Sequence, residues 1–349
     1  MRDIQGQASP MRVLVTGGAG YLGSACLRDF LRAGFECWAI DDLSEGNAEA
    51  IPPDRLICMD VRDTGALAAL MRDLGVDAVL HTAALASVPE SFERPNDYWS
   101  INFDGTRSVV EAMLQSGANR IIFSSTAAVY RHNKDRALRE DDPLEPATPY
   151  GASKLAAELV IRDYARKYGL RGIAFRYFNA AGADVDGRHG EARSRETHAI
   201  PVMMEVALGR RPFFDVYGTA LETRDGSCVR DYVSISDLVR AHRQALTAPL
   251  DEPYLVCNLG TGSGASVREL LQAGRRVTGQ PIAHRDAPPR PGDPPFLVAD
   301  GARARRVLGW TPSQSQLDSI VASTWKWYRT NPGKYGRRIQ DERPCPAQH

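Results

Sequence analysis

Residues 11–23 read Met11-Arg12-Val13-Leu14-Val15-Thr16-Gly17-Gly18-Ala19-Gly20-Tyr21-Leu22-Gly23. A short valine- and leucine-rich run passes directly into glycines at 17, 20 and 23, and SACLRDFLRAG follows with helical spacing. This is a strand, a tight turn and a helix. Gly17 permits the turn, Gly20 a close approach by a ligand, and Gly23 close packing of the helix. Glycines also serve ordinary turns, so the triplet alone decides little; its place between strand and helix decides it. The helix N-terminus then presents unpaired N–H groups and a partial positive charge to a pyrophosphate. Asp41 closes the next strand, FECWAID, eighteen residues after Gly23, where a carboxylate binds both ribose hydroxyls. No arginine stands at 41–47 to pair with a 2′-phosphate, so the expected cofactor is NAD rather than NADP.

Outward from this unit the alternation continues. RLICMDV, AVLHTAA, RIIFSST and GIAFRYFN read as strands, while TGALAALMRDLG, NFDGTRSVVEAMLQSG and KLAAELVIRDYARKY (154–168) read as helices. Such spacing predicts an α/β fold with a doubly wound parallel sheet. After Asn179 the character changes, because 180–198 is rich in Gly, Asp, Arg and His and has no apolar period. A helix at IPVMMEVALG follows, and DYVSISDLVRAHRQALTAP with YLVCNLG returns to the first layer. The expected division is a dinucleotide-binding Rossmann domain over 11–180 plus about 232–262. A smaller mixed substrate domain takes about 181–231 plus 263–330, and 1–10 and 331–349 form tails. The second glycine cluster, GTGSG at 260–264, reads as a structural turn.

Bulk properties narrow the partners. Lys plus Arg equals Asp plus Glu, 43 each, so no global field draws the chain to nucleic acid or an anionic membrane. Residues 1–10 are polar, and no apolar run approaches the ~18 residues that span a bilayer. The six cysteines show neither C-x-x-C nor zinc-ligand spacing, so no metal is expected and the cytoplasm is the expected location.

Two Tyr-x-x-x-Lys matches lie twenty residues apart, Tyr130 to Lys134 and Tyr150 to Lys154. The first is followed by HNKDRALREDDP, a polar stretch without helical period, where a four-residue gap fixes no geometry. The second opens an apolar helix behind Pro149, where residues four apart share a face. Tyr150 is therefore the candidate general base and Lys154 its neighbour. A phenol with pKa ~10 is a poor base at neutral pH. A nearby ammonium and a nicotinamide cation typically bring it down by about 1–3. Thr126, in Ser124-Ser125-Thr126 at the carboxyl end of a strand, is the candidate hydroxyl partner. The alternative is that these hydroxyls only cap a loop.

With TGGAGYLG, Asp41, SSTAAVY, Tyr150-x-x-x-Lys154 and RYFN on one chain, the sequence resembles the extended short-chain dehydrogenase/reductase family, and within it the sugar-nucleotide 4-epimerases. The match runs from Met11 to about Tyr328 and includes ETHAIP, ALGRR, DGSCVRDY, NLGTG and the RPGD segment. The resemblance implies that Gly17, Gly20, Tyr21, Leu22, Gly23, Asp41, Asp60, Val61, Thr82, Ala83, Ala84 and Tyr177 line NAD together with Tyr150 and Lys154. It places Asn179, His198, Ala199, Tyr217, Arg230, Arg290 and Asp293 around UDP. Two arginines suit a diphosphate, and Asp293 suits a sugar hydroxyl; a structural ion pair of Arg230 with Asp231 is the alternative.

The implied activity is inversion of C4 of a UDP-sugar, UDP-glucose/UDP-galactose, through a transient 4-keto intermediate, by a homodimer. Other UDP-sugars (xylose/arabinose, glucuronate, N-acetylhexosamine) need the same C4 chemistry. The family's 4,6-dehydratases carry Asp-Glu after the position of Thr126, where Ala127 and Ala128 stand here. A non-catalytic NAD-binding regulator would commonly lack the tyrosine–lysine pair. Four positions depart from the pattern. Ala86 replaces a lysine near the cofactor phosphates, Ile101 the first of two asparagines (leaving Asn102), and Arg131 a glycine. Leu297 stands where a tyrosine restricts and a cysteine permits N-acetylated sugars, and matches neither.

Overall fold

The computed structural model describes residues 9–131, 136–184, 187, 189–193, 196–290 and 292–332. Lys134 and most of the two expected tails lie outside the described residues. The first half contains Arg12–Thr16 (β1), Tyr21–Arg32 (α1), Glu36–Asp41 (β2), Leu56–Cys58 (β3), Thr64–Leu74 (α2) and Ala78–His81 (β4). Val88–Glu93 (α3), Pro95–Tyr98 (α4), Gly105–Ser116 (α5), Arg120–Thr126 (β5), Pro149–Tyr168 (α6) and Arg171–Tyr177 (β6) follow. The second half holds Asn179–Ala181 (β7), Ala199–Ala207 (α7), Phe214–Tyr217 (β8), Val229–Arg230 (β9), Tyr232–Ser234 (β10) and Ile235–Thr247 (α8). Tyr254–Leu259 (β11), Ala265–Ser266 (β12), Val267–Thr278 (α9), His284–Ala287 (β13), Phe296–Leu297 (β14), Ala302–Leu308 (α10) and Leu317–Thr330 (α11) complete it.

Seven strands form one sheet in the order β11-β6-β5-β4-β1-β2-β3, and every pair in it is parallel. This is the doubly wound fold expected from the alternation. The period of two in β1 explains how it is covered on both faces. Val13 and Val15 face one core with Leu27, Phe30 and Leu238 of α1 and α8. Leu14 faces another with Met71, Val110 and Ile161 of α2, α5 and α6. Strand order reverses between β1 and β4, so a crevice opens beyond their carboxyl ends, where open α/β sheets bind ligands.

Beyond β6 the chain builds smaller sheets, β10-β7, β12-β9-β14 and β13-β8. A third core gathers Met203, Phe214, Leu270, Trp327 and Tyr328. α6 starts at Pro149, one residue before the opening at Tyr150 read from the sequence and ahead of the apolar stretch at 154–168, because Thr148 caps it by accepting from the Gly151 N–H at 3.0 Å and Pro149 opens the first turn. Ahead of α5, wide π-helical turns occupy Trp99–Asp104. Among the described residues no helix is long and apolar enough to cross a membrane.

Candidate active site

One cavity of about 1180 Å³ opens at the crevice, and every cofactor, substrate and catalytic candidate named above lines it. Ala86, Ile101 and Leu297 line it as well. Arg131 instead pairs with Glu145 at 2.6 Å on the surface. Asn102, the remaining asparagine, is buried; its side chain accepts from Leu85 N at 2.9 Å and donates to Ser153 Oγ at 3.1 Å.

The glycine loop fits a dinucleotide on steric grounds. Gly17 has φ +64°, and a Cβ there would lie 2.5 Å from Ala83 N, across the crevice on the β4 side. At Gly23 a Cβ would sit 2.4 Å from Gly17 O, so helix and turn pack only without a side chain. Gly20 is different, since a Cβ would meet only Gly17 O, at 3.1 Å, and its open side is free for a ligand. Asp41 is buried and accepts from Ala19 N and Leu43 N, both at 2.9 Å. Burial raises its carboxyl while these two N–H groups pull it down.

Tyr150 stands in the first turn of α6, and Lys154 is one turn on. The Tyr150 ring meets Tyr98 edge-on at 6.3 Å, which fixes its plane. Thr126 Oγ1 accepts from Ala128 N at 3.2 Å, leaving its proton for the phenol oxygen. Burial raises the Tyr150 phenol above its ordinary value, and the hydrogen bond to Thr126 pulls the other way. Burial also drives the Lys154 ammonium down to about 7, against the opposing pull of Glu158. That ammonium sits 4.2 Å from the Phe123 ring centroid. The expected lysine-driven acidification of Tyr150 is thus absent from the protein alone, because a dry site penalises both charges at once.

At the other end, Arg230 is buried and its Nη2 donates to Asp293 at 2.5 Å. Its ion-pair partner is therefore Asp293, not Asp231. The Asp231 carboxylate instead accepts from Thr261 N, Gly262 N and Ala299 N, which makes the GTGSG segment a turn wrapped on a buried carboxylate. Arg290 lies 3.8 Å over the Tyr217 ring. Asn179 Oδ1 is buried without a protein partner among the described residues, and Ala199 opens α7 behind His198.

Among the charged residues of this cavity that sequence reasoning missed, Glu191, Arg193 and Glu196 form one cluster. Glu191 Oε1 receives Arg193 Nε and His198 Nδ1, each at 2.7 Å. Burial alone would raise the Glu191 carboxyl, but His198 and Arg193 overcome it and hold it low. Glu191 in turn raises His198. Glu196 is raised, first by burial and then by Glu191. The only signal was Glu196 itself within ETHAIP; GEAR has no period to betray it.

Residues 13–260 match the NAD dependent epimerase/dehydratase family. The chain is 46% identical over 328 residues to a UDP-glucose 4-epimerase of Azospirillum brasilense, covering 93% of this chain and 94% of that one. Its structure is similar to that of a Brucella ovis UDP-glucose 4-epimerase in complex with NAD, with TM-score 0.86, 40% identity and coverage of 90% and 98%. It is likewise similar to a Stenotrophomonas maltophila UDP-glucose 4-epimerase with bound NAD and formylated UDP-arabinopyranose. There the TM-score is 0.88, with 36% identity and coverage of 92% and 99%.

Proposed function

Because the chain belongs to the NAD dependent epimerase/dehydratase family, we propose that it interconverts UDP-glucose and UDP-galactose by inverting C4 through a 4-keto intermediate. One observation carries the reading: Tyr150, with the Thr126 hydroxyl on its phenol, lines the same cavity as the Gly17–Gly23 loop. NAD bound along that loop and Asp41 supplies reversible hydride acceptance at the sugar carbon.

The chain's own residues do the rest. As the phenolate, which the positive charge of a bound nicotinamide would favour against the cost of burial, Tyr150 takes the proton from the 4-hydroxyl and returns it after the sugar has turned over. Thr126 holds the phenol in line and shares its proton. Lys154, one turn along α6, carries a proton that burial has made labile near pH 7. Arg230 and Arg290 grip the diphosphate, so the sugar is held at one end only and presents either face. Asn179 Oδ1, with no protein partner among the described residues, is left to accept from the substrate. Ala127 and Ala128, beside Thr126 in the cavity, offer no acid or base for eliminating water.

The test is to incubate the protein with UDP-glucose, UDP-galactose, UDP-N-acetylglucosamine, UDP-xylose and UDP-glucuronate and to follow C4 inversion by proton NMR. UDP-glucose and UDP-galactose should converge on one mixture from both sides. Inversion of another member of the panel with neither hexose touched would overturn the assignment.

A further inference from the structure

The proposed function uses the glycine loop for the dinucleotide and Arg230 with Arg290 for the sugar nucleotide, and leaves Arg193 without a role. Two contacts seat the chain leading to Arg193 against the start of α1. Tyr21 Oη donates to Gly182 O at 2.6 Å. His189 Nε2 donates to Tyr21 O at 2.8 Å, and its ring stacks on the tyrosine with centroids 5.9 Å apart. This is the end of α1 whose unpaired N–H groups face the crevice.

The Arg193 side chain is held but not used up. Its Nε donates to Glu191 Oε1 at 2.7 Å, and its backbone N–H donates to Glu196 Oε1 at 3.0 Å. Both terminal nitrogens lack a protein partner among the described residues, and the side chain, 30% exposed, lines the cavity. Next to it, Glu196 Oε2 is buried with no protein partner among the described residues. A fixed stem with a free fork is what bidentate phosphate recognition requires.

Charge balance selects the occupant. A pyrophosphate brings two negative charges, and a helix N-terminus offsets only about half of one. Residues 17–24 contain no lysine or arginine, and Arg28, which also lines the cavity, stands about two turns into α1 rather than at its N-terminus. Burial raises both phenols of the groove, Tyr21 and Tyr150, and the charge of Arg193 opposes that rise at each. The guanidinium therefore lies within electrostatic reach of both ends of a cavity that all three line. We infer that Arg193 supplies the side-chain cation for the pyrophosphate of the bound dinucleotide, with Glu191 as the positioning residue that fixes its stem. The inference rests on the dinucleotide reading of the groove.

The experiment titrates full-length protein, freed of nucleotide, with ADP-ribose, adenosine and UDP by calorimetry. Arg193→Met should weaken ADP-ribose about 10- to 100-fold and leave adenosine and UDP unchanged. Arg193→Lys should recover part of the loss, because the charge stays while the fork goes. ADP-ribose binding equal to the parent protein's, or UDP weakened as much as ADP-ribose, overturns the inference. A parent protein that binds no ADP-ribose refutes the dinucleotide reading itself, and the inference with it.

Discussion

At the scale of single residues, Arg230 shows how much of the substrate end depends on one cation. It is buried and balanced by Asp293, so Arg230→Ala removes the proposed phosphate ligand and leaves a carboxylate without its cation. UDP affinity, read by calorimetry, should fall by about 10- to 100-fold or more, with ADP-ribose affinity unchanged. Of the two tyrosines, Tyr150 lines the cavity and Tyr130 does not, and the reason is local. Tyr130 is buried, donates to Asn258 Oδ1 at 2.6 Å and accepts from Arg176 Nη1 at 3.0 Å, which is a core role. Its lysine partner at 134 lies outside the described residues. Only Tyr150 had a helical period behind it to fix where the side chain goes. What sequence did not show was Arg193, since its meaning comes from Tyr21, distant along the chain.

At the scale of elements, the position of α6 decides whether Tyr150 and Lys154 meet the crevice. Glu158 of α6 and Arg176 of β6 form an ion pair at 2.6 Å with both side chains 3% exposed, joined by the Ser125 hydroxyl and by Tyr130. Glu158→Ala strands a buried guanidinium and should cost about 3–5 kcal/mol in urea unfolding; a loss below 1 kcal/mol would show that the helix is held otherwise. Gly23→Ala tests the first turn of α1. Its Cβ would fall 2.4 Å from Gly17 O, so the turn must open and ADP-ribose binding should drop at least tenfold, with UDP binding retained. Strand and helix existence were readable from periods of two and 3.6. The start of α6 was read at Tyr150 behind Pro149, within a residue of where it lies, while the Thr148 cap that sets it was not.

At the scale of the whole molecule, the sheet is pinned by a buried imidazole. Thr106 Oγ1 donates to Asn102 O, so it accepts from His81 Nε2–H at 2.9 Å, and His81 Nδ1 accepts from Thr16 Oγ1 at 2.6 Å. Burial keeps this ring neutral, with its pKa pushed down to about 3, and His242 is likewise pushed down to about 4. The unfolded chain therefore binds more protons than the native one from about pH 6.5 down to those values, and stability falls as pH falls through that window. His81→Asn should be less stable at pH 7.5 yet show a shallower loss between pH 6.5 and 5 in urea midpoints; an unchanged slope would place the histidine's proton elsewhere. The doubly wound parallel sheet was legible because each βα unit announces itself within about thirty residues, whereas the strand order was not read. The cleft between this sheet and the later strands was not, since its walls come from segments without period. All of it serves one phenol beside one hydroxyl. The most direct test is turnover of Tyr150→Phe on UDP-galactose in protein shown to retain its NAD. The account predicts a fall of at least about 10²- to 10⁴-fold; turnover within tenfold of the parent protein, with NAD in place, would contradict it.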